Sequence, residues 1–296
     1  VLAAASGDNR IRAFRLSGGQ LLKTLEGHQA MIRALAISPD GHMLYSAGFD
    51  GTLRFWRFPY GPELKTLRPG PGEIFSMVLG ANGKHLISGG SDNLVRVWNL
   101  PDGTAARELN QHTDAITHLA ASPNSELVAS SGRDGIIHVW NFSSGGLIRT
   151  IANSGDPITA LAISPDDQVL IGGRNNGELV LWSLSTGKEI AQTRTYFHPV
   201  TGLVLSPDGE VLYTADNGGH LQVWDLRTFL AVRLPGLVAR PGVLAQLQDR
   251  LKVPHLSPAE KKWLSFAVEL AHWRQRFDIE LAKPNTIQIG EFDIEL

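Results

Sequence analysis

Cysteine is absent from the 296-residue chain, which excludes disulfides, thiolate metal sites and cysteine nucleophiles together. That absence fits a reducing compartment, so the expected location is cytoplasmic. No apolar run reaches the roughly 18 residues of a membrane-spanning helix, and no membrane span is expected. Neither sign of charge dominates, with 27 basic and 29 acidic side chains and a net charge of -2. A nucleic-acid backbone or an anionic membrane is therefore not implied as partner. Metal and nucleotide motifs are missing too. The ten histidines contain no HExxH or zinc-like spacing. GANGKH at 80–85 lacks the spacing and the Ser or Thr of a phosphate loop. No cofactor and no metal are expected.

What is present is repetition. Trp56, Trp98, Trp140, Trp182 and Trp224 are spaced by 42 residues, and Phe14 stands one period upstream. Pro39, Pro123, Pro165 and Pro207 hold a second register, with Ala81 at the missing step. A third marks a turn before each Trp segment: Asp8, Asp50, Asp92, Asp134, Asn176 and Gly218. Self-similarity at this period points to units that bury their faces against one another. With 43% apolar residues the chain can fill such interfaces.

Within one period the signals are all short strands. In residues 30–68, AMIRALAIS alternates and PDG breaks it. HMLYSAG is a second strand, ended by FDG, TLRFWRF a third, and ELKTLRP a fourth after YGP. Four antiparallel strands with tight turns make one propeller blade, and the fold class is all-β. Nothing before residue 235 has a helical period.

The pattern resembles the WD40 repeat over residues 1–235. That resemblance implies a structural hydrogen-bond set in a blade, falling on His28, Ser46, Asp50 and Trp56, and again on His112, Ser130, Asp134 and Trp140. Gly27-His28 matches the family's Gly-His, Gln111 replaces the glycine before His112, and only Trp224-Asp225 keeps the closing dipeptide. Three blades depart further. One has Gly70 at the histidine position, one has Ser154 with Gly172 and Asn176, and one has Tyr196, a displaced His198 and Gly218. These blades are expected to rely more on apolar packing than on the network. Uniform arrays of this kind resemble bacterial, particularly cyanobacterial, WD40 proteins.

Six units are visible, the first without its first strand, and VLAAASGDNR reads as the inside of a repeat in a longer protein. The resemblance implies a seven-bladed ring, with six blades as the alternative. Residues 236–256 read as a connector. Ser257, Pro258 and Glu260 cap an amphipathic helix carrying Trp263, Phe266, Trp273 and Phe277. RFDIEL and GEFDIEL then read as a short strand pair turning at Pro284-Asn285. The segment 257–296 is expected to pack on or close the propeller.

The His–Asp pairs come with no nucleophile at a strained turn, so no catalytic residue is assigned and no enzyme activity is expected. The resemblance instead implies partner contacts at residues just before the turn Asp and just after the Gly-His position. The first set is Phe49, Ser91, Arg133, Asn175 and Asn217, and the second is Ala30, Gly72, Asp114, Asp156 and His198. Phe49 and Arg133 stand out, because exposed aromatics and arginines concentrate binding energy. The function implied is a non-catalytic scaffold that binds protein partners through its loops. The alternative is a regulatory or substrate-recruiting propeller of a multidomain enzyme with its catalytic domain upstream.

Overall fold

The structure, a computed structural model, describes residues 1–153, 155–194, 196–226, 286–289 and 292–295. The chain forms two compact units, residues 1–223 and 224–296. Strands β1 (Leu2–Ala5), β2 (Ile11–Phe14) and β3 (Leu21–Leu25) form the first blade. The second comprises β4 (Ile32–Ile37), β5 (Met43–Gly48), β6 (Leu53–Arg57) and β7 (Glu63–Leu67). The third comprises β8 (Ile74–Leu79), β9 (His85–Gly90), β10 (Val95–Asn99) and β11 (Thr104–Leu109). The fourth comprises β12 (Ile116–Ala121), β13 (Leu127–Gly132), β14 (Ile136–Asn141) and β15 (Gly146–Ala152). The fifth comprises β16 (Ile158–Ile163), β17 (Val169–Arg174), β18 (Glu178–Ser183) and β19 (Glu189–Arg194). The sixth holds β20 (Val200–Leu205), β21 (Val211–Asp216) and β22 (Leu221–Asp225).

Each sheet is an antiparallel meander in sequence order. Six blades are present among the described residues, not the seven expected, and the first lacks its first strand as its sequence indicates. The connector 236–256 and the helix expected from Ser257 lie outside the described residues. In the second unit, β23 (Thr286–Ile289) pairs antiparallel with β24 (Phe292–Glu295). The second FDIEL copy is thus a strand and pairs with TIQI, while RFDIEL lies outside the described residues. TIQI is nearer in the chain, and a shorter loop costs less entropy to close.

The hydrophobic core sits between blades. Tyr45, Ala47, Leu53 and Phe55 of the second blade pack against Ile74, Met77, Leu86 and Trp98 of the third. Ile87, Val95 and Val97 meet Ile116, Leu119, Val128 and Trp140 in the same way. Ala129, Ile137 and Val139 meet Ile158, Leu161, Leu170 and Trp182. Polar ties follow the same period at the outer strands. Lys23 donates to the carbonyl of Tyr60 (2.8 Å), Lys65 to Asp102 (2.6 Å), Arg107 to Ser143 (2.7 Å) and Arg149 to Ser185 (2.6 Å). Each runs from one blade to the last turn of the next, and the register ends at Ala191. Gly103, with φ 65°, lets that turn approach closely, since a Cβ there would sit 2.8 Å from the Phe55 ring.

The two ends of the array differ from its middle. Leu221 and Val223 are 80% and 63% exposed, whereas Leu53 and Phe55, four periods upstream, are 0% and 1%. Val204 and Tyr213 are exposed on the same sheet. Leu2 is 52% exposed although Leu44, Leu86 and Leu170 in its register are wholly buried. These are the faces a neighbouring blade covers elsewhere. Phe55→Ala is expected to cost about 3–5 kcal/mol, and Val223→Ala no more than about 0.5 kcal/mol, measured by urea unfolding. Comparable costs at both positions would mean that a further sheet covers the sixth blade in solution.

Candidate functional site

Two blades carry the full buried polar chain. In the second, Trp56 Nε1 donates to Ser46 Oγ (2.8 Å), and Ser46 lies 2.7 Å from His28 Nε2. His28 Nδ1 lies 2.8 Å from the Asp50 carboxylate. Indole is only a donor, so Ser46 accepts from it and gives its own proton to His28 Nε2. Nδ1 then carries the imidazole hydrogen and donates it to Asp50. Burial pushes the His28 pKa below its usual value, against the pull of Asp50, and keeps the ring neutral. Burial alone would raise Asp50, but bonds from the Thr52 hydroxyl and the backbone N–H groups of Gln29 and Thr52 hold it low. The fourth blade repeats the chain: Trp140 to Ser130 is 2.9 Å, Ser130 to His112 is 2.8 Å, and His112 to Asp134 is 2.8 Å.

The order Ser–His–Asp is that of a hydrolase triad, but its chemistry here is closed. Ser46 and Ser130 are wholly buried, and each Oγ is already bonded to an indole and an imidazole. No substrate carbonyl reaches either one. Among the described residues no cluster of three or more His, Asp or Glu side chains is arranged to hold a metal ion. No described helix is long and apolar enough to cross a membrane.

The three divergent blades do not fall back on apolar packing, contrary to expectation. Each puts another polar group into the histidine's space. In the third, Arg96 pairs with Asp92 (2.5 Å) and Glu108 (2.9 Å) beside Gly70. In the fifth, Arg174 pairs with Glu178 (3.1 Å) and bonds Asn153 and Gln192, while Ser154 lies outside the described residues. In the sixth, the Tyr196 hydroxyl bonds the Thr214 side chain (2.6 Å), and Asp216 meets His220 (2.9 Å). In the third and sixth blades the incoming group partners a network-position residue, Asp92 or Thr214, whereas Arg174 in the fifth bonds residues outside that set.

The loop face is organised by a repeated irregularity. The pairing of the first two strands shifts register at Arg33, Phe75, Thr117, Thr159 and Thr201, one β-bulge at this place in each of the second to sixth blades. A bulge re-aims its side chain. Beside each lies the residue before the turn, held by a backbone bond to the loop ahead of the first strand. These bonds run from Phe49 to Met31, Ser91 to Glu73, Arg133 to Ala115, Asn175 to Pro157 and Asn217 to Pro199. In the fourth to sixth blades the threonine hydroxyls bond carbonyls of Ser131, Gly173 and Ala215.

In the second to fourth blades the same positions join into a strip. The Arg33 guanidinium lies 5.5 Å from the Phe49 ring centre. Phe49 meets Phe75 edge to face at 5.7 Å, and Arg133 lies 5.6 Å from the Phe75 ring centre. Both arginines are exposed and both rings half-buried.

The family described as WD domain, G-beta repeat matches five segments: residues 19–57, 61–99, 103–141, 145–183 and 190–225. The chain belongs to the WD40 family. No curated protein matches it. Each matched WD40 repeat begins on the outer strand of one blade and ends on the third strand of the next, so the chain itself links every pair of blades.

Phe49 and Arg133, expected from sequence, come together only through Phe75. That ring and Arg33 escaped the sequence reading, although their register holds threonine in the three later blades and breaks only at these two. The other expected residues are not in the strip. Asp114 accepts the backbone N–H of Ala115 (2.6 Å), the Asp156 carbonyl accepts from Asn153 (2.9 Å), and His198 stacks on His220 at 6.4 Å.

Ser130→Ala leaves His112 Nε2 and Trp140 Nε1 without a partner, although His112 Nδ1 keeps Asp134, and is expected to cost about 2–4 kcal/mol. Ser88→Ala strands only Trp98. A cavity of about 10 Å³ beside Ser88 and Gly70 is roughly water-sized. The expected cost there is about 1 kcal/mol, and equal losses in urea unfolding would contradict the assignment. His118 supplies a pH signal. Its Nδ1 is buried without a partner, and burial, then the nearby charge of Arg33, lowers its pKa to about 4. Unfolding therefore takes up a proton between the ordinary histidine value and about 4, and stability falls as pH falls through that window. Tm is expected to drop from pH 7 to pH 5, and less so in His118→Ala, since alanine stands in the same register at 34 and 160.

Proposed function

We propose that this WD40 chain is a non-catalytic interaction platform that holds protein partners on its loop face. The observation that carries it is the Arg33–Phe49–Phe75–Arg133 strip, which spans three blades. Aromatic and arginine side chains are the residues that most often concentrate binding energy at protein interfaces. The strip is made by residues with no part in the buried network. The absence of cysteine and the even 42-residue array support a bacterial, cytoplasmic setting.

Affinity capture from native extract, with the intact chain and a Phe49→Ala/Arg133→Glu variant of equal Tm in parallel, tests the assignment. The expected result is a stoichiometric protein partner held by the parent and lost by the variant. A partner held equally by both would place the interface elsewhere on the molecule.

A further inference from the structure

Arginine is used in more than one way here: Arg107 and Arg149 tie neighbouring blades through backbone carbonyls, and others form ion pairs. Arg54 pairs with Glu63 at 2.6 Å, Arg96 with Asp92 and Glu108, and Arg174 with Glu178. Among the described residues, Arg33 and Arg133 make no ion pair. Each instead lies over a phenyl ring. Among the described residues no hydrogen bond to either guanidinium is formed, so their N–H groups are available, and an arginine fork matches a carboxylate. The aromatic support also restricts the side chain, so less freedom is lost when a carboxylate arrives. The nearby histidine adds no charge at neutral pH, as its pKa of about 4 shows. Glu73 and Asp114, on the loops entering β8 and β12, neutralise neither arginine through an ion pair. Asp114 bonds the backbone of its own loop.

Resting on the interaction-face reading above, we propose that the strip binds an acidic peptide segment. One carboxylate seats on Arg33, another on Arg133, and an apolar side chain between them lies against the Phe49–Phe75 edge. The contacts of 5.5, 5.7 and 5.6 Å bound the separation of the two guanidinium carbons at about 17 Å. An extended chain advances about 3.3 Å per residue, so the two acidic residues stand no more than about five positions apart.

Fluorescence anisotropy with the full chain tests this. The probe is fluorescein-labelled Gly-Glu-Ala-Phe-Ala-Glu-Gly, with counterparts carrying glutamine or lysine in place of both glutamates. The glutamate peptide is expected to bind at least about tenfold tighter than the glutamine peptide and to weaken as salt rises. Arg33→Gln/Arg133→Gln, checked for unchanged Tm, should abolish that preference, and Arg33→Glu/Arg133→Glu should transfer it to the lysine peptide. Equal affinity for the glutamate and glutamine peptides, a preference unaltered by the glutamine variant, or no binding of the glutamate peptide at 1 mM overturns the proposal. The captured partner separates this failure from that of the face. A partner lost with Phe49→Ala but retained by Arg33→Gln/Arg133→Gln keeps the face and overturns the acidic chemistry. One retained by every variant overturns the face itself.

Discussion

A sheet of four short strands has two broad faces and can bury neither by itself. Everything regular in this chain follows from that. Each core cluster is shared by two successive blades, so no blade owns its own interior. The lysine and arginine ties of the outer strands run across the same boundaries. The WD40 repeat is offset by one strand from the blade, and covalent continuity therefore crosses every boundary as well. Stability of this kind is a sum of neighbour terms. It leaves the ends of the array with leucines and valines exposed at positions that are buried in the middle.

The polar interior shows a different rule. The histidine site is a space of fixed size beneath each loop face, and five blades fill it in four ways. Histidine occupies it in the second and fourth, Arg96 in the third, Arg174 in the fifth and Tyr196 in the sixth. The substitutes come from different sequence positions. What they share is reach and hydrogen-bonding capacity, and they satisfy whatever partner the neighbouring register offers. The network is thus conserved in function across blades while its members change.

The repeat made most of the fold legible. Strand order, turns, the His–Ser–Asp–Trp sets and the incomplete first blade all follow from residues that recur at 42 positions. Legibility failed where structure depends on a departure from the period. Gly70 pointed to a blade resting more on apolar packing than on the network, because Arg96, 26 residues later, carries no mark in the sequence of where its guanidinium will point. Phe49 and Arg133 were readable as turn neighbours. Their connection through Phe75 was not, because alternation along AMIRALAIS or EIFSMVL assumes a regular strand, and the bulge breaks it. The blade count was hard for another reason: local repeats define each unit but not how many neighbours complete a ring.

A residue inside a regular strand is bound by the two-residue alternation, so changing it disturbs either the core or a partner strand. The bulged residue stands outside that alternation, although in the fourth to sixth blades its hydroxyl still bonds the neighbouring strand. Arg33, Phe75, Thr117, Thr159 and Thr201 occupy this position in the second to sixth blades, with the same register shift and three kinds of side chain. The position behaves as a socket, and its contents can be exchanged without rebuilding the frame. A blade can therefore present a different side chain on the loop face by a change at this one position.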